Sequence, residues 1–198
     1  MFILHMFSHS GGYWFWVAAC LASLAVHELA HAAAGRCLGA ARRPDPPSFP
    51  LCPGVRTTAA AIGACLLFGA SWGSFRAEPR SPAMRRSLAA LAGPLANLLL
   101  AVGCCAAVGR FANPMANLAL EHCAQINLIL CAFNLLPVPP LDGWELLETA
   151  FPACGRTRQE LKNGLLAGLL LIVFCSFQLL VVLSDLAVAR LGVMLGVK

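Results

Sequence analysis

The 198-residue chain contains 59% hydrophobic and only 12% charged residues, and its mean hydropathy is +0.75. Soluble domains carry about 25% charged residues, so this chain has too few charged side chains to cover a water-soluble globule. The net charge of +5 is modest and scattered, which argues against a nucleic-acid partner. The positively charged residues are better explained as determinants of how the chain is oriented in a membrane. The composition therefore predicts an integral, multi-pass protein of the lipid bilayer.

Apolar segments along the chain predict an all-α bundle of about four transmembrane helices plus one short re-entrant segment. A helix rises about 1.5 Å per residue, so about 20 apolar residues cross the ~30 Å hydrocarbon core, whereas segment 57–72 is short for a full span. Residues 1–198 are predicted to form one membrane-embedded domain. Its predicted elements are helix 13–38, re-entrant segment 57–72, helix 87–109, helix 115–136, loop 137–162 and helix 163–184.

The positive charges predict the orientation of these helices. If segment 57–72 returns to the side from which it enters, all but three of the 14 lysines and arginines lie on one side of the membrane. Positively charged loops mark the cytoplasmic side, so the side with most of these residues is predicted to be cytoplasmic. The three residues on the opposite side are Arg110, Arg190 and Lys198. A bacterial-type inner or plasma membrane is the expected location.

The first helix carries a metal-binding pattern, His27-Glu28-Leu29-Ala30-His31. Histidines four residues apart lie on one helical face and can bind the same metal ion, while the glutamate can take a proton from water as a general base. The alternative is a pair of histidines satisfied within a core. The apolar helix disfavours it, because ionisable groups within a membrane are costly and usually functional.

Zinc needs a third protein ligand, and Asp142 is the best candidate. Pro137, Pro139 and Pro140 end the preceding helix, so the chain can turn a carboxylate back into the bundle. With the predicted topology, helices 13–38 and 115–136 run in the same direction, and Asp142 meets the histidines near the cytoplasmic face. The alternative for Asp142 is an ordinary Asp-Gly turn. Other possible ligands are Glu145, Glu148 and His122, the last expected toward the opposite face.

A third motif, Ala92-Gly93-Pro94-Leu95-Ala96-Asn97, lies on the intervening helix. Its glycine permits close approach of another backbone, and the Asn97 amide could hold a substrate carbonyl or the developing oxyanion. A hydrogen bond from Asn97 to a neighbouring helix is the alternative.

Taken together and in this order, His27–His31, Ala92–Asn97 and Phe133–Gly143 resemble the site-2 protease family of intramembrane zinc metalloproteases. The resemblance spans roughly Val17 to Leu147 and corresponds to the compact form of the family, without an inserted PDZ or nucleotide-sensing domain. It implies one Zn²⁺ per chain. The implied roles are zinc binding by His27, His31 and Asp142, activation of water by Glu28, and assistance near the substrate by Asn97.

The resemblance also implies the reaction and the substrate class. The expected activity is hydrolysis of peptide bonds in or near the transmembrane helix of a membrane-protein substrate. One alternative is a catalytically silent relative that binds membrane proteins, which the presence of Glu28 disfavours. Another is a metal transporter, which the scarcity of ionisable residues in the far half of each span disfavours.

Overall fold

The computed structural model describes residues 10–39 and 81–196, and every regular element in this part of the chain is helical. The predicted re-entrant segment, 57–72, lies outside the described residues. The helices are α1 (Ser10–Leu38), α2 (Ala83–Ala107), α3 (Pro114–Asn134), α4 (Asp142–Ala150), a 3₁₀ helix (Pro152–Arg156) and α5 (Gln159–Met194).

Three of these helices, α1, α2 and α3, are long and apolar enough to cross a membrane. Large apolar side chains on their outer faces are exposed, as are others on α5; Leu29, Leu99 and Leu171 are each more than half exposed. Such exposure is unfavourable in water but suits a protein whose solvent is lipid. For the described residues, the prediction of an all-α membrane protein is confirmed.

Side-chain contacts fix the relative directions of the three helices. Ser23 near the middle of α1 contacts Asn127 of α3, and Trp16 near its start packs edge-on against His122, so α1 and α3 run parallel. Helix α2 runs antiparallel to both, because His31 of α1 contacts Ala89 of α2, whereas the earlier residue His27 contacts the later residue Asn97.

Small residues allow the helices to pack closely around the middle of the bundle. Ala89, Ala90, Gly93 and Ala101 of α2 are buried against its neighbours. Small side chains let helix backbones approach one another, which is how membrane helices gain van der Waals contact. A separate apolar cluster lies between α1 and α3, toward the start of α1. It is formed by Trp16, Cys20, Ile126 and Leu130.

The predicted loop 137–162 contains a helix, α4, the 3₁₀ turn and the start of α5. The prolines do end α3, but the sequence that follows them is amphipathic and has two acidic residues, Asp142 and Glu145, in its first turn. Acidic side chains favour a helix N-terminus. The last helix also extends beyond the predicted boundary at 184 to Met194, because Asp185 and Arg190 interrupt the apolar run without interrupting the helix.

Candidate metal centre

Two buried imidazoles of α1 face each other in the centre of the bundle. His27 and His31 have no exposed surface, and their Nε2 atoms lie 3.0 Å apart. The rings meet edge to face with centroids 4.6 Å apart. The four-residue spacing along one helical turn therefore presents the two Nε2 atoms to one point.

Asp142 completes the group from the first residue of α4. Its Oδ2 atom lies 3.0 Å from Nε2 of His27 and 3.2 Å from Nε2 of His31, and only 5% of the side chain is exposed. The local backbone explains this position. A Cβ atom on Gly143 would lie 2.2 Å from the carbonyl oxygen of Leu135, so the first turn of α4 can fold back onto the end of α3 because residue 143 is glycine.

Helix α2 holds both imidazoles from behind. Nδ1 of His27 donates to Oδ1 of Asn97 at 3.0 Å, and Nδ1 of His31 donates to the backbone carbonyl of Ala89 at 2.7 Å. A neutral imidazole carries one ring proton, so both Nε2 atoms are left with a free electron pair directed at Asp142. Metal-ligating histidines are usually fixed by such outer hydrogen bonds to their second ring nitrogen.

Three electron-pair donors thus converge with no hydrogen between them. Within the described residues, Oδ2 of Asp142 is buried without a hydrogen-bond partner. A cation among the three atoms removes this conflict. Ligand atoms in a tetrahedral zinc site with bonds of about 2.0 Å lie about 3.3 Å apart, close to the separations of His27, His31 and Asp142. Two neutral imidazoles and one carboxylate are a set of ligands typical of catalytic zinc.

Gly93 leaves the space that an ion needs. A Cβ atom on this residue would lie 2.3 Å from Nε2 of His31 and 2.6 Å from Nε2 of His27. These distances are little longer than a zinc–nitrogen bond, so even one methyl group would compete with a metal ion for the same volume. The donor set, the unpartnered carboxylate oxygen and this space all fit zinc.

The electrostatics of the third ligand also favour a cation. Burial raises the pKa of the Asp142 carboxyl, but hydrogen bonds from His27 and His31, which form when an imidazole is protonated, lower it by more, so the pKa lies below its ordinary value. Asp142 is consequently ionised at neutral pH and supplies a negative charge to the site.

Glu28 lies next to the three converging residues rather than among them. Its side chain is partly buried on α1 and is close enough to His31 to interact with it electrostatically. This is the location expected of a residue that handles protons beside a metal ion without binding the ion. Its assignment as general base stays a prediction.

The observed hydrogen bond of Asn97 is to His27, whereas the predicted role of Asn97 was to bind substrate. Its carbonyl oxygen holds His27, whereas its Nδ2 atom is buried without a hydrogen-bond partner among the described residues. The observed contact is the helix-to-helix hydrogen bond considered as the alternative, made here to a predicted metal ligand. Assistance near the substrate stays a prediction and would depend on Nδ2.

The three competing ligands are engaged elsewhere. Glu145 accepts hydrogen bonds from Arg86, and Glu148 pairs with Lys162 and accepts from the indole of Trp144. His122 donates to the Leu118 carbonyl and packs against aromatic rings at the start of α1, far along the bundle from Asp142.

Two contributions of α2 were absent from the sequence-based predictions: the Ala89 carbonyl that holds His31 and the volume reserved by Gly93. A signal for both exists in the sequence, because Ala89, Gly93 and Asn97 follow one another at intervals of four residues. This spacing places small residues and the amide on one helical face, which indicates a close helix contact.

Comparison with known proteins agrees with this chemistry. The model of peptidase family M50 matches residues 109–177, a range that includes Asp142. A protein of Bacillus subtilis (strain 168) described as "Putative zinc metalloprotease YwhC" is 31% identical to this chain over an alignment of length 175, and the alignment covers 79% of each protein. No solved structure gives a significant match.

Proposed function

The chain belongs to peptidase family M50, the site-2 protease family, and we propose that it is an intramembrane zinc metalloprotease. The assignment confirms the resemblance noted in the sequence. In the proposed reaction, the enzyme hydrolyses a peptide bond in or near the transmembrane segment of a membrane-protein substrate.

The observation that carries the proposal is the convergence of His27, His31 and Asp142 in the buried centre of the bundle. Two of the three residues belong to α1, which can span the membrane, and the third lies a short connection after α3, which can also span it. Ionisable residues are expensive at such positions and are kept for function. A metal site at membrane depth supports a reaction on a chain that also lies in the membrane.

His27, His31 and Asp142 would hold the zinc ion, each through the atom that points to the common centre. The ion would supply Lewis-acid chemistry, which makes water more acidic and polarises a carbonyl group. Glu28 accepts the proton from the attacking water and then delivers it to the leaving amine. Asn97 keeps His27 in the tautomer that can bind metal, and its Nδ2 atom supplies a buried donor for the substrate carbonyl.

We further propose that the site lies near the cytoplasmic face. His27 and His31 lie in the second half of α1, and the basic residue at the end of that helix is Arg36. At the same end of the bundle, the first turn of α2 contains Arg85 and Arg86. Clustered positive charge is typical of the cytoplasmic side.

The test compares membranes of cells that produce either the wild-type protein or its His31→Ala variant, both supplied with zinc. Newly formed peptide termini are mapped by mass spectrometry. We expect termini within or near transmembrane segments in the wild-type sample alone, and purified wild-type protein should cleave the same substrates in liposomes. A zinc chelator should stop that cleavage.

Absence of such termini would contradict the protease assignment if the wild-type protein carries zinc. Binding of transmembrane peptides that is unaffected by the chelator would then favour the catalytically silent relative.

A further inference from the structure

An ion pair joins the helix that carries Asp142 to the helix that holds the histidines. Both Nε and Nη2 of Arg86, on α2, donate to Oε1 of Glu145, on α4, at 2.9 and 2.7 Å. The pair is largely shielded from solvent, since Arg86 is 18% and Glu145 12% exposed. A doubly hydrogen-bonded arginine at such a position fixes geometry more strongly than an exposed ion pair does.

Helix α4 needs this kind of support. It contains nine residues, and its N-cap residue, Leu141, makes no side-chain capping hydrogen bond. Helices shorter than about 12 residues are not stable on their own, so the position of α4 depends on its contacts with the rest of the bundle. Any displacement of α4 moves Asp142, which is its first residue.

Glu145 lies one turn from Asp142 on α4, so it is well placed to control that displacement. The other charged contact of α4, between Glu148 and Lys162, ties the helix to the start of α5 from a position one further turn away. Of these two ion pairs of α4, Arg86–Glu145 is therefore the one nearer to Asp142 along the helix.

The position of Arg86 on α2 gives the pair a special role. Arg86, Ala89, Gly93 and Asn97 are spaced three, four and four residues apart, which aligns them along one helical face. Asn97 holds His27, Ala89 holds His31, and Arg86 holds the helix of Asp142. All three predicted ligands are therefore held by contacts with the same helix, α2.

From this arrangement we propose that Arg86 and Glu145 are positioning residues of the metal centre, which set the distance of Asp142 from the two histidines. The inference rests on the proposed zinc site but not on proteolysis. Loss of either partner frees α4 to shift, so the carboxylate binds zinc less well while both imidazoles stay in place.

The test measures metal binding by the full-length protein in detergent, without substrate. Zinc affinity is determined by chelator competition, and Co²⁺ is used as a spectroscopic probe because its visible absorption depends on ligand geometry. We expect Arg86→Gln and Glu145→Gln each to lower zinc affinity about tenfold or more and to change the Co²⁺ spectrum, in line with other residues that support metal ligands. The charge-swapped double variant Arg86→Glu/Glu145→Arg should recover most of the lost affinity.

Arg85→Gln is the matched control, because it removes the same charge from the neighbouring residue, whose side chain is exposed. It should bind zinc and Co²⁺ as the wild type does. Should Arg86→Gln fail to fold, Arg86→Lys supplies a milder change that keeps the charge but loses the two-donor fork. Its Co²⁺ spectrum should still differ from that of the wild type.

Wild-type zinc affinity and an unchanged Co²⁺ spectrum in Arg86→Lys and Glu145→Gln would overturn the proposal, as would a charge swap that recovers nothing. This failure is distinguishable from failure of the proposed function. A wild-type protein that binds zinc but cleaves no membrane protein would contradict proteolysis and leave the role of Arg86 intact.

Discussion

Nδ1 of His27 and Oδ1 of Asn97 lie 3.0 Å apart in the buried interface of α1 and α2. Because the amide oxygen can only accept, it keeps the ring proton on Nδ1 and leaves Nε2 free for a metal ion. Asn97→Leu should lower zinc affinity by about 10- to 100-fold, whereas Asn97→Asp, which retains the acceptor, should lose much less. Chelator competition measures both values.

A control for this prediction is Asn127→Leu. Asn127 also makes a buried hydrogen bond to α1, through Ser23, but lies outside the metal centre. Both leucine variants should lose about 1 kcal/mol of stability from the lost interhelical hydrogen bond. Equal zinc affinities in the two variants would contradict a specific role of Asn97 in orienting His27.

Gly93→Ala should abolish zinc binding. The added methyl group would lie within 2.6 Å of Nε2 of both His27 and His31, in the volume assigned to the ion. Gly103→Ala is the matched control on the same helix, because a Cβ atom there meets nothing within 4 Å. Metal content per purified chain measures the difference, and a zinc-loaded Gly93→Ala protein would show that the ion lies elsewhere.

Gly143→Ala should displace Asp142 by a different route. Its methyl group would lie 2.2 Å from the Leu135 carbonyl oxygen, so the first turn of α4 would have to move away from α3. We expect weakened zinc binding and a lower thermal unfolding temperature. Gly155→Ala should leave both unchanged, since a Cβ atom there would lie 3.9 Å from its nearest neighbour, Cδ of Glu148, which is an ordinary van der Waals distance. Wild-type zinc affinity in Gly143→Ala would contradict this prediction, because it would show that the metal site does not depend on the close contact of residue 143 with Leu135.

Glu28→Gln should separate metal binding from catalysis. The variant should keep its zinc, because Glu28 is not among the three converging residues. Peptide-bond cleavage should fall by about 10²- to 10⁴-fold, the usual contribution of a general base. Metal analysis and a liposome cleavage assay on the same preparation measure the two effects. Full cleavage by the variant would exclude Glu28 as the base.

The sequence predicts the convergence of the three side chains wherever helical geometry alone decides. The spacing of His27 and His31 requires their side chains to share a face, and the parallel course of α1 and α3 brings Asp142 to the same end of the bundle. Both inferences need helix periodicity and topology but no detail of packing. The family could also be predicted from the sequence, because its motifs are short local segments.

What the sequence did not predict depends on helix rotation and tertiary contact. The acceptor for His31 is a backbone carbonyl, which every residue possesses, so its identity as Ala89 is decided by how α2 faces α1. The partners Arg86 and Glu145 are 59 residues apart and meet because α4 folds back onto α2. Helix α4 itself was not predicted, because the prolines before it suggest a loop and because the helix is short.

The most direct test of the central claim, that His27, His31 and Asp142 hold one zinc ion, is metal content measured by mass spectrometry. Wild-type protein, Asp142→Ala and the control Asp185→Ala are purified in detergent, supplied with zinc and freed of excess metal. Asp185 is an exposed acidic residue of α5, so its loss should not affect the site. We predict about one zinc ion per chain in the wild type and in Asp185→Ala, and none in Asp142→Ala. A wild-type chain that remains free of metal would contradict the account.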